Sequence, residues 1–401
     1  MSSSLEENLK LLTSDEEVLG RIDVRHVDQV AYQVVSQKHG RLAILQSAEE
    51  KSIWKRIISR LELSFTETFL ATEWRDVVLG QAVADADGYL AAKRPGRGRA
   101  LGHLQKAQVW QAIDEFTSEL ASRKLWTYDS ICVEAARILA ESPSKPYGHV
   151  VVDEAQDLHP VRWRLLRAAV SEGPDDLFIA GDTHQRIYGA TVSLRSLGIR
   201  VAGRSSRLTI NYRTTAEILG WSLGLLAGQR VDDMDEGLES LSGCRSDVHG
   251  SPPRTAAYAT KAREMDELAA RVRTWLDSGV APAEVGVAAR SNTLVDDAVT
   301  ALRRVGIAAG SLAQVLPGDA VRVGTMHRMK GLEFRCVAVI GAGEHQMPMA
   351  GAVTPVEEDK SLHAADLQRE RCLIFVACTR AREDLHVSWH GNPSPYLTPL
   401  L

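Results

Sequence analysis

Two adjacent carboxylates at the end of an apolar run are the most chemically suggestive feature of the chain. The segment HVVVDEAQD (149–157) delivers Asp153 and Glu154 directly after three valines. A buried strand of that composition belongs to a parallel α/β sheet, and such sheets bind ligands beyond the carboxyl ends of their strands. At a nucleotide site one carboxylate holds Mg²⁺, usually through water, while its neighbour can orient and deprotonate the attacking water. A lone DE pair more often just caps a following helix, but the full DEAQD string is much rarer than the pair. Arg380 is the second chemical candidate. Leu373, Val376 and Ala377 share one apolar helical face, and Arg380 falls seven positions after Leu373 on that face. Its guanidinium should therefore point inward, towards an interdomain cleft. The alternative is an arginine snorkelling to solvent near a helix carboxyl terminus. What the chain does not offer is a phosphate grip. A P-loop wraps phosphates in glycine N–H groups and follows them with a lysine, whereas none of the 30 glycines precedes a lysine.

These residues need strands and helices to hold them. Apolar runs predict buried parallel strands at HVVVDEAQD (149–157), LFIAGD (177–182), RLTINYR (207–213), EVGVAAR (284–290), VRVGT (321–325) and CVAVIG (336–341). Between the first two, Pro160 suits a helix start, Val161, Leu165 and Ala169 recur every four residues, and Gly173 and Pro174 stop the pattern. A strand–helix–strand crossover follows. The alternation of strands with helical patterns predicts an α/β fold, and no internal repeat is visible. Residues 50 to 135 are instead mainly helical and carry the basic stretch KRPGRGRALGHLQK (93–106). Its Lys93, Arg94, Arg97 and Arg99 could grip phosphates or form a solvated loop. The acidic, turn-rich segment 223–253 predicts a domain boundary.

At 401 residues the chain is long enough for two or three cores. With 44% hydrophobic and 25% charged residues it reads as a soluble globular protein rather than a disordered one. The five cysteines are scattered, odd in number and without a CxxC pair, so neither a disulfide framework nor a zinc site is suggested, and buried free thiols are expected. No leader pattern or long apolar stretch is present, so a cytoplasmic location is expected. The net charge of −5 does not advertise a nucleic-acid binder, but a groove for one strand needs only local positive charge.

Five strings occur in an order that resembles the UvrD/Rep helicases of superfamily 1. VVVDEAQD resembles motif II, IAGDTHQRIYG (179–189) motif III, LTINYRTT (208–215) motif IV, VGTMHRMKGLEF (323–334) motif V and RERCLIFVACTRA (369–381) motif VI. IDVRHVDQVA (22–31) is similar to the family's early DNA-contacting segment, and TYDSICVEAARILA (127–140) to the helix leading back into the first motor domain. The resemblance implies two RecA-like P-loop NTPase-type domains with parallel sheets plus a helical subdomain. On that plan residues 1–49 are a remnant of motor domain 1, 50–140 a helical accessory subdomain, 141–222 motor domain 1 with motifs II to IV, 223–253 a linker, and 254–401 motor domain 2 with motifs V and VI. The implied cofactors are ATP and Mg²⁺. Asp153 would serve Mg²⁺, Glu154 would be the general base, and Gln185 would sense the terminal phosphate. Tyr212 would stack on adenine, Arg213 and Arg380 would reach the γ-phosphate, and Gly331 and Glu333 would lie at the nucleotide, with Glu333 on the ribose. Phosphoryl transfer is mostly positioning and charge stabilisation, so arginines arriving from a second domain can couple hydrolysis to domain motion.

Tyr188, His327 and Lys330 would contact DNA, the last two from a loop after a strand. The implied activity is ATP-dependent 3′ to 5′ DNA translocation or unwinding in repair or replication, on single-stranded or partly duplex DNA. Two departures stand out. Family members commonly follow the equivalent of Gly189 with an aromatic and an arginine, where this chain has Ala190 and Thr191. The family's P-loop precedes the segment resembled by 22–31, so an N-terminally truncated motor is expected. The alternatives are half of a split motor, with a partner protein supplying the P-loop segment, and an inactive clamp for single-stranded DNA or protein. Retention of Glu154, Gln185, Arg213 and Arg380 favours a motor, because a clamp has no chemical use for the set. About 110 residues separate Arg213 from motif V, which leaves little room for a large accessory insertion.

Overall fold

Three helix starts in the amino-terminal half carry a side chain that caps them. Thr66, Asp85 and Thr127 each accept a hydrogen bond from the backbone N–H three residues on, satisfying a donor that the first helical turn leaves bare. The computed structural model describes residues 9–13, 15–94, 100–187, 193–201, 203–229, 231–232, 234, 238–239 and 243–401. It divides into two compact units, Met1–Gly181 with Gly189–Val201, and Asp182–Tyr188 with Ala202–Leu401.

In the first unit α1 (Val27–His39) and strand β1 (Ala43–Ile44) precede α2 (Ser47–Arg60), α3 (Glu67–Glu73), α4 (Ala86–Ala91) and α5 (His103–Ser122). Then come β2 (Leu125–Trp126), α6 (Tyr128–Glu141), β3 (Val150–Val152), α7 (Pro160–Ala168) and β4 (Leu177–Ile179). Helices α2 to α5 enclose an aromatic core in which Trp54 stacks on Phe116 at 4.0 Å and Trp74 meets the same ring edge-on at 5.0 Å. A second core joins α1, α6 and α7 through Ala31, Val35, Ile131, Ala135, Val161 and Leu165, each helix contributing residues four apart and so on one face. Pro160 opens α7 at its first turn. The crossover delivers β4 alongside β3 in parallel, with Val151 opposite Phe178.

Neither a phosphate grip nor a solvated loop describes Arg94. Its guanidinium is buried and donates Nε and one Nη to Glu73 at 2.6 and 2.8 Å. Glu73, fully buried at the end of α3, also accepts from the Tyr89 hydroxyl at 2.8 Å. A carboxylate in that position requires a cation, and Arg94 supplies one. Arg97 and Arg99 lie outside the described residues.

The second unit contains β5 (Ile210–Asn211), α8 (Ala216–Gly224), β6 (Arg245–Ser246), β7 (Arg254–Tyr258), α9 (Lys261–Asp277), β8 (Val285–Ala289) and α10 (Asn292–Arg304). These are followed by β9 (Ala309–Ser311), β10 (Val321–Thr325), α11 (Met326–Met329), β11 (Phe334–Val339), α12 (Lys360–Cys378) and β12 (Ala381–His390). Six strands form one sheet in the order β9-β10-β8-β11-β12-β7, every neighbouring pair parallel. Alternate residues serve opposite faces. Val287, Ala289 and Ala338 pack against Leu268 and Val272 of α9 and Val295 and Leu302 of α10. Ala288, Val337 and Val339 pack against Ile218 of α8 and Leu373 and Val376 of α12. All five residues of β8 are buried, as expected for a parallel strand covered on both sides. The fold class is therefore α/β with parallel sheets, as the alternating apolar runs predict.

Two segments sit differently from the sequence-based division. Residues 182–188 and 202–222 fall in the second unit, not with 141–181. Thr215 donates its N–H to the Arg382 carbonyl at 3.3 Å, and Ile218 enters the core that α12 lines. Part of 223–253 is also more than linker, since β6 pairs in parallel with β5 and Ala216 donates to the Val248 carbonyl at 2.7 Å. Turn-rich composition masks a short strand whose partner lies some 35 residues earlier. Of the cysteines, Cys132, Cys336, Cys372 and Cys378 are buried free thiols, and Cys244 is partly exposed. Among the described residues no helix is long and apolar enough to cross a membrane.

Candidate functional site

Strand β3 stops at Val152, and the chain turns at once into a single 3₁₀ turn, Ala155–Asp157. Asp153 is exposed, and its Oδ1 accepts the Glu154 N–H at 2.8 Å. Glu154 adopts φ 52° and ψ 39°, a left-handed conformation that costs a non-glycine residue about 1–2 kcal/mol. Its carboxylate is tethered: Gln156, itself buried, donates Nε2 to Oε2 at 2.6 Å. Gly181, just past β4, makes room for this, because a Cβ there would stand 2.7 Å from the Gln156 Oε1. An exposed aspartate beside a tethered glutamate fits a Mg²⁺ that keeps its waters and phosphate oxygens and takes one protein carboxylate. The same residues provide no grip for the phosphates themselves.

In the second unit Gln185 is a junction. It closes the 3₁₀ turn Thr183–Gln185, and its Nε2 donates to Asp182 Oδ2 at 2.8 Å. Its Oε1 accepts from an Arg380 Nη at 3.0 Å, and its carbonyl accepts from Lys330 Nζ at 2.8 Å. Arg380, two residues beyond α12, is buried, with Nε donating to the Val376 carbonyl at 3.0 Å. Its side chain turns into the second unit, although the residue lies past the end of α12 rather than on the helical face. Arg213 pairs with Glu333 at 2.8 Å, both about half exposed. The Asn211 side chain accepts from the N–H groups of Arg213 and Thr214 at 2.8 and 3.0 Å. Tyr212 projects into solvent at 77% exposure, as a side chain free to stack on a ligand would. Gly331 has φ 76°, which lets the chain reverse between Lys330 and Glu333 without strain.

His327 and Lys330 do not lie in the simple loop expected of them: His327 is inside the one-turn helix α11 and Lys330 caps it. The Lys330 ammonium is directed at Gln185. Tyr188 lies outside the described residues. His327 instead lines a cleft of about 540 Å³ with Arg290, Ser291, Asn292, Thr325 and Arg328, beyond the carboxyl ends of β8 and β10. Burial, helped by the charge of Arg290 and opposed by Glu370, holds the His327 imidazole below its usual pKa.

Thus Asp153 and Glu154 belong to the first unit, and Gln185, Tyr212, Arg213, Gly331, Glu333 and Arg380 to the second. Sequence reasoning missed Gln156 and Asp182, although both stand inside the motif strings at the short offsets where side chains bond local turns. It also missed Arg290 and Glu370, 80 positions apart with nothing local to link them.

The model of the UvrD/REP helicase N-terminal domain matches residues 4–192, and that of the UvrD-like helicase C-terminal domain matches residues 300–392. ATP-dependent DNA helicase UvrD2 of Mycobacterium tuberculosis (strain H37Rv) is 29% identical over 368 residues, covering 68% of this chain and 51% of the relative. DNA helicase II of Escherichia coli (strain K12) is 26% identical over 200 residues, covering 46% and 26%. A solved structure, the C-terminal domain of a possible DNA helicase from Lactobacillus, covers 48% of this chain and 94% of its own with TM-score 0.34 and 18% identity. The chain spans about half the length of the UvrD2 relatives it matches.

Proposed function

We propose that the chain belongs to the UvrD/Rep helicase family and is the greater part of an ATP-dependent DNA helicase or translocase, moving 3′ to 5′ in DNA repair or replication. One observation carries the reading. Arg380, buried, donates to Gln185 across 195 positions of sequence, and these are the residues that the resemblance sets on the terminal phosphate. A desolvated guanidinium held beside an amide is suited to stabilise charge that develops there. Bound MgATP supplies the phosphoryl group whose transfer to water drives such motors. Asp153 would hold the metal, and Glu154, tethered by Gln156, would orient the water and accept its proton. Tyr212 stacks on the base, Arg213 approaches the phosphate, and Gly331 and Glu333 line the ribose side. By the resemblance His327, Lys330 and Tyr188 would contact single-stranded or partly duplex DNA.

The phosphate grip comes from outside these 401 residues, in which no glycine precedes a lysine. An open place for it is consistent with β3 and β4, where the facing pair Val151 and Phe178 is 74% and 66% exposed. Parallel strands are ordinarily covered on both faces. A strand and helix bearing a P-loop, from a further segment or a partner protein, would cover this pair and complete the site.

A DNA-stimulated ATPase assay tests the reading. The chain alone should hydrolyse ATP negligibly, because a misplacement of even 1 Å can cost about a hundredfold in rate. Joined to a strand–P-loop–helix segment it should gain DNA-stimulated activity, which Glu154→Gln abolishes while nucleotide binding persists. A completed protein that stays inactive yet binds single strands makes the chain a clamp. Hydrolysis by the chain alone, dependent on Glu154, would overturn the account of the missing grip.

A further inference from the structure

Helix α3 does not simply end at Glu73 but widens into a single π-turn, Trp74–Leu79. The Gly80 N–H donates to the Arg75 carbonyl and the Val83 N–H to the Val78 carbonyl, each at 2.9 Å. Such turns are rare and gather at functional sites. This one stands between two cores. Trp74, Val77 and Val78 belong to the aromatic core of α2–α5, whereas Leu79 packs against both that core and the one joining α1, α6 and α7. Arg164 and His159 bring α7 onto the turn. Arg164 donates its Nη groups to the carbonyls of Leu79, at 2.8 Å, and Gly80. His159 caps α7, its Nδ1 accepting the Val161 N–H at 3.4 Å, so the hydrogen of the neutral ring sits on Nε2. That nitrogen is buried without an aligned acceptor, yet Asp76 Oδ1, on the π-turn, stands 3.3 Å away. Asp76 is itself held by Arg75, whose Nε donates to the same oxygen at 2.7 Å. A buried donor so incompletely paired costs free energy, and a small shift of the turn completes or breaks the contact. From His159 back to Glu154 the path is short. The Leu158 N–H donates to the Ala155 carbonyl at 3.2 Å and the Asp157 N–H to the Glu154 carbonyl at 3.0 Å, so the 3₁₀ turn ties the cap of α7 to the carboxylate pair.

We propose that the π-turn is a conformational joint through which a displacement of the helical layer α2–α5 reaches Asp153 and Glu154, with His159 against Asp76 as its coupling contact. Both are positioning residues, acting through the loop and not on a ligand. Arg164 keeps the turn docked on α7, while the incompletely made contact at His159 is the part that changes. That such a displacement serves catalysis rests on the nucleotide reading of Asp153 and Glu154 proposed above.

Hydrogen exchange of the 401-residue chain, followed on a peptide spanning 153–159 and on one from α5, tests the joint alongside thermal unfolding. The variants are Asp76→Ala, His159→Asn, which keeps a helix-capping side chain, and the two together. Each single change should speed exchange at 155–158 about tenfold, with α5 and the unfolding temperature near wild type. The double variant should exchange no faster than the faster single, because both remove one contact. A His159 that only caps α7 predicts wild-type exchange in His159→Asn. An Asp76 that only orders its own turn predicts faster exchange confined to 74–80. Purely structural roles predict faster exchange throughout the chain with a lower unfolding temperature, or additive effects in the double variant. Any of these results overturns the proposal. Should Asp76→Ala fail to fold, Asp76→Asn takes its place with an expected rise of about threefold, and wild-type exchange at 155–158 overturns the proposal equally. Exchange is measured without nucleotide or DNA, so the joint stands or falls apart from the helicase reading, whose failure in the ATPase assay would remove only the catalytic purpose of the coupling.

Discussion

Glu154 shows how a single residue can be placed by its neighbours. The left-handed backbone turns it out of line with β3, Asp153 accepts its N–H, and Gln156 ties down its carboxylate. His386 is the opposite case, a titratable group sealed into β12 at 4% exposure. Burial pushes its imidazole down to about 4, with Arg271 and Arg254 adding to the effect and Asp384 opposing it. An unfolded histidine protonates near 6.5, so between 6.5 and about 4 the unfolded state binds more protons and stability falls as pH falls. Below about 4 both states are protonated and the loss is complete. The full effect is roughly 3 kcal/mol. Unfolding in urea across that window should show the decline in the wild type, and His386→Leu should remove most of it. An unchanged slope in the variant would place the acid sensitivity elsewhere.

Among the elements, α3 and the turn after α4 depend on each other through Glu73 and Arg94. Glu73 is fully buried, and Tyr89 and Arg94 donate to it, so removing Arg94 takes away a charge partner of a buried carboxylate. Arg94→Met should destabilise the α2–α5 core by about 3–5 kcal/mol, and adding Glu73→Met should recover most of that. Tryptophan fluorescence reports on it directly, because Trp54 and Trp74 both sit against Phe116. A double variant no more stable than the single would mean that the pair contributes more than mutual neutralisation. Helix α12 has a comparable dual duty in the second unit: Glu370 on it meets Arg290, and Arg380 just beyond it meets Gln185.

For the molecule as a whole, the contrast between its sheets matters most. The six-stranded sheet of the second unit has helices on both faces, whereas β3 and β4 of the first expose Val151 and Phe178 side by side. Exposed apolar pairs on an open parallel strand invite association. The double variant Val151→Ser with Phe178→Ser should lower the binding of an apolar dye and slow aggregation. It should change stability by less than about 1 kcal/mol, because both side chains already face solvent. The same substitutions should also block rescue of ATPase by a P-loop segment. Rescue that proceeds undiminished would show that the segment docks elsewhere.

Much of this was readable along the chain because it is local. The apolar runs that became β3, β4, β8, β10 and β11 and the proline that opens α7 follow from periodicity and turn chemistry within a few residues. Tertiary structure alone decided that residues 182–188 and 202–222 fold with the second unit, that Arg94 is consumed by Glu73, and that Arg290 is held by Glu370. Each of these depends on which elements the packing brings side by side. The energy that settles such choices is desolvation and charge pairing in the folded interior, and a window of neighbouring residues does not contain it.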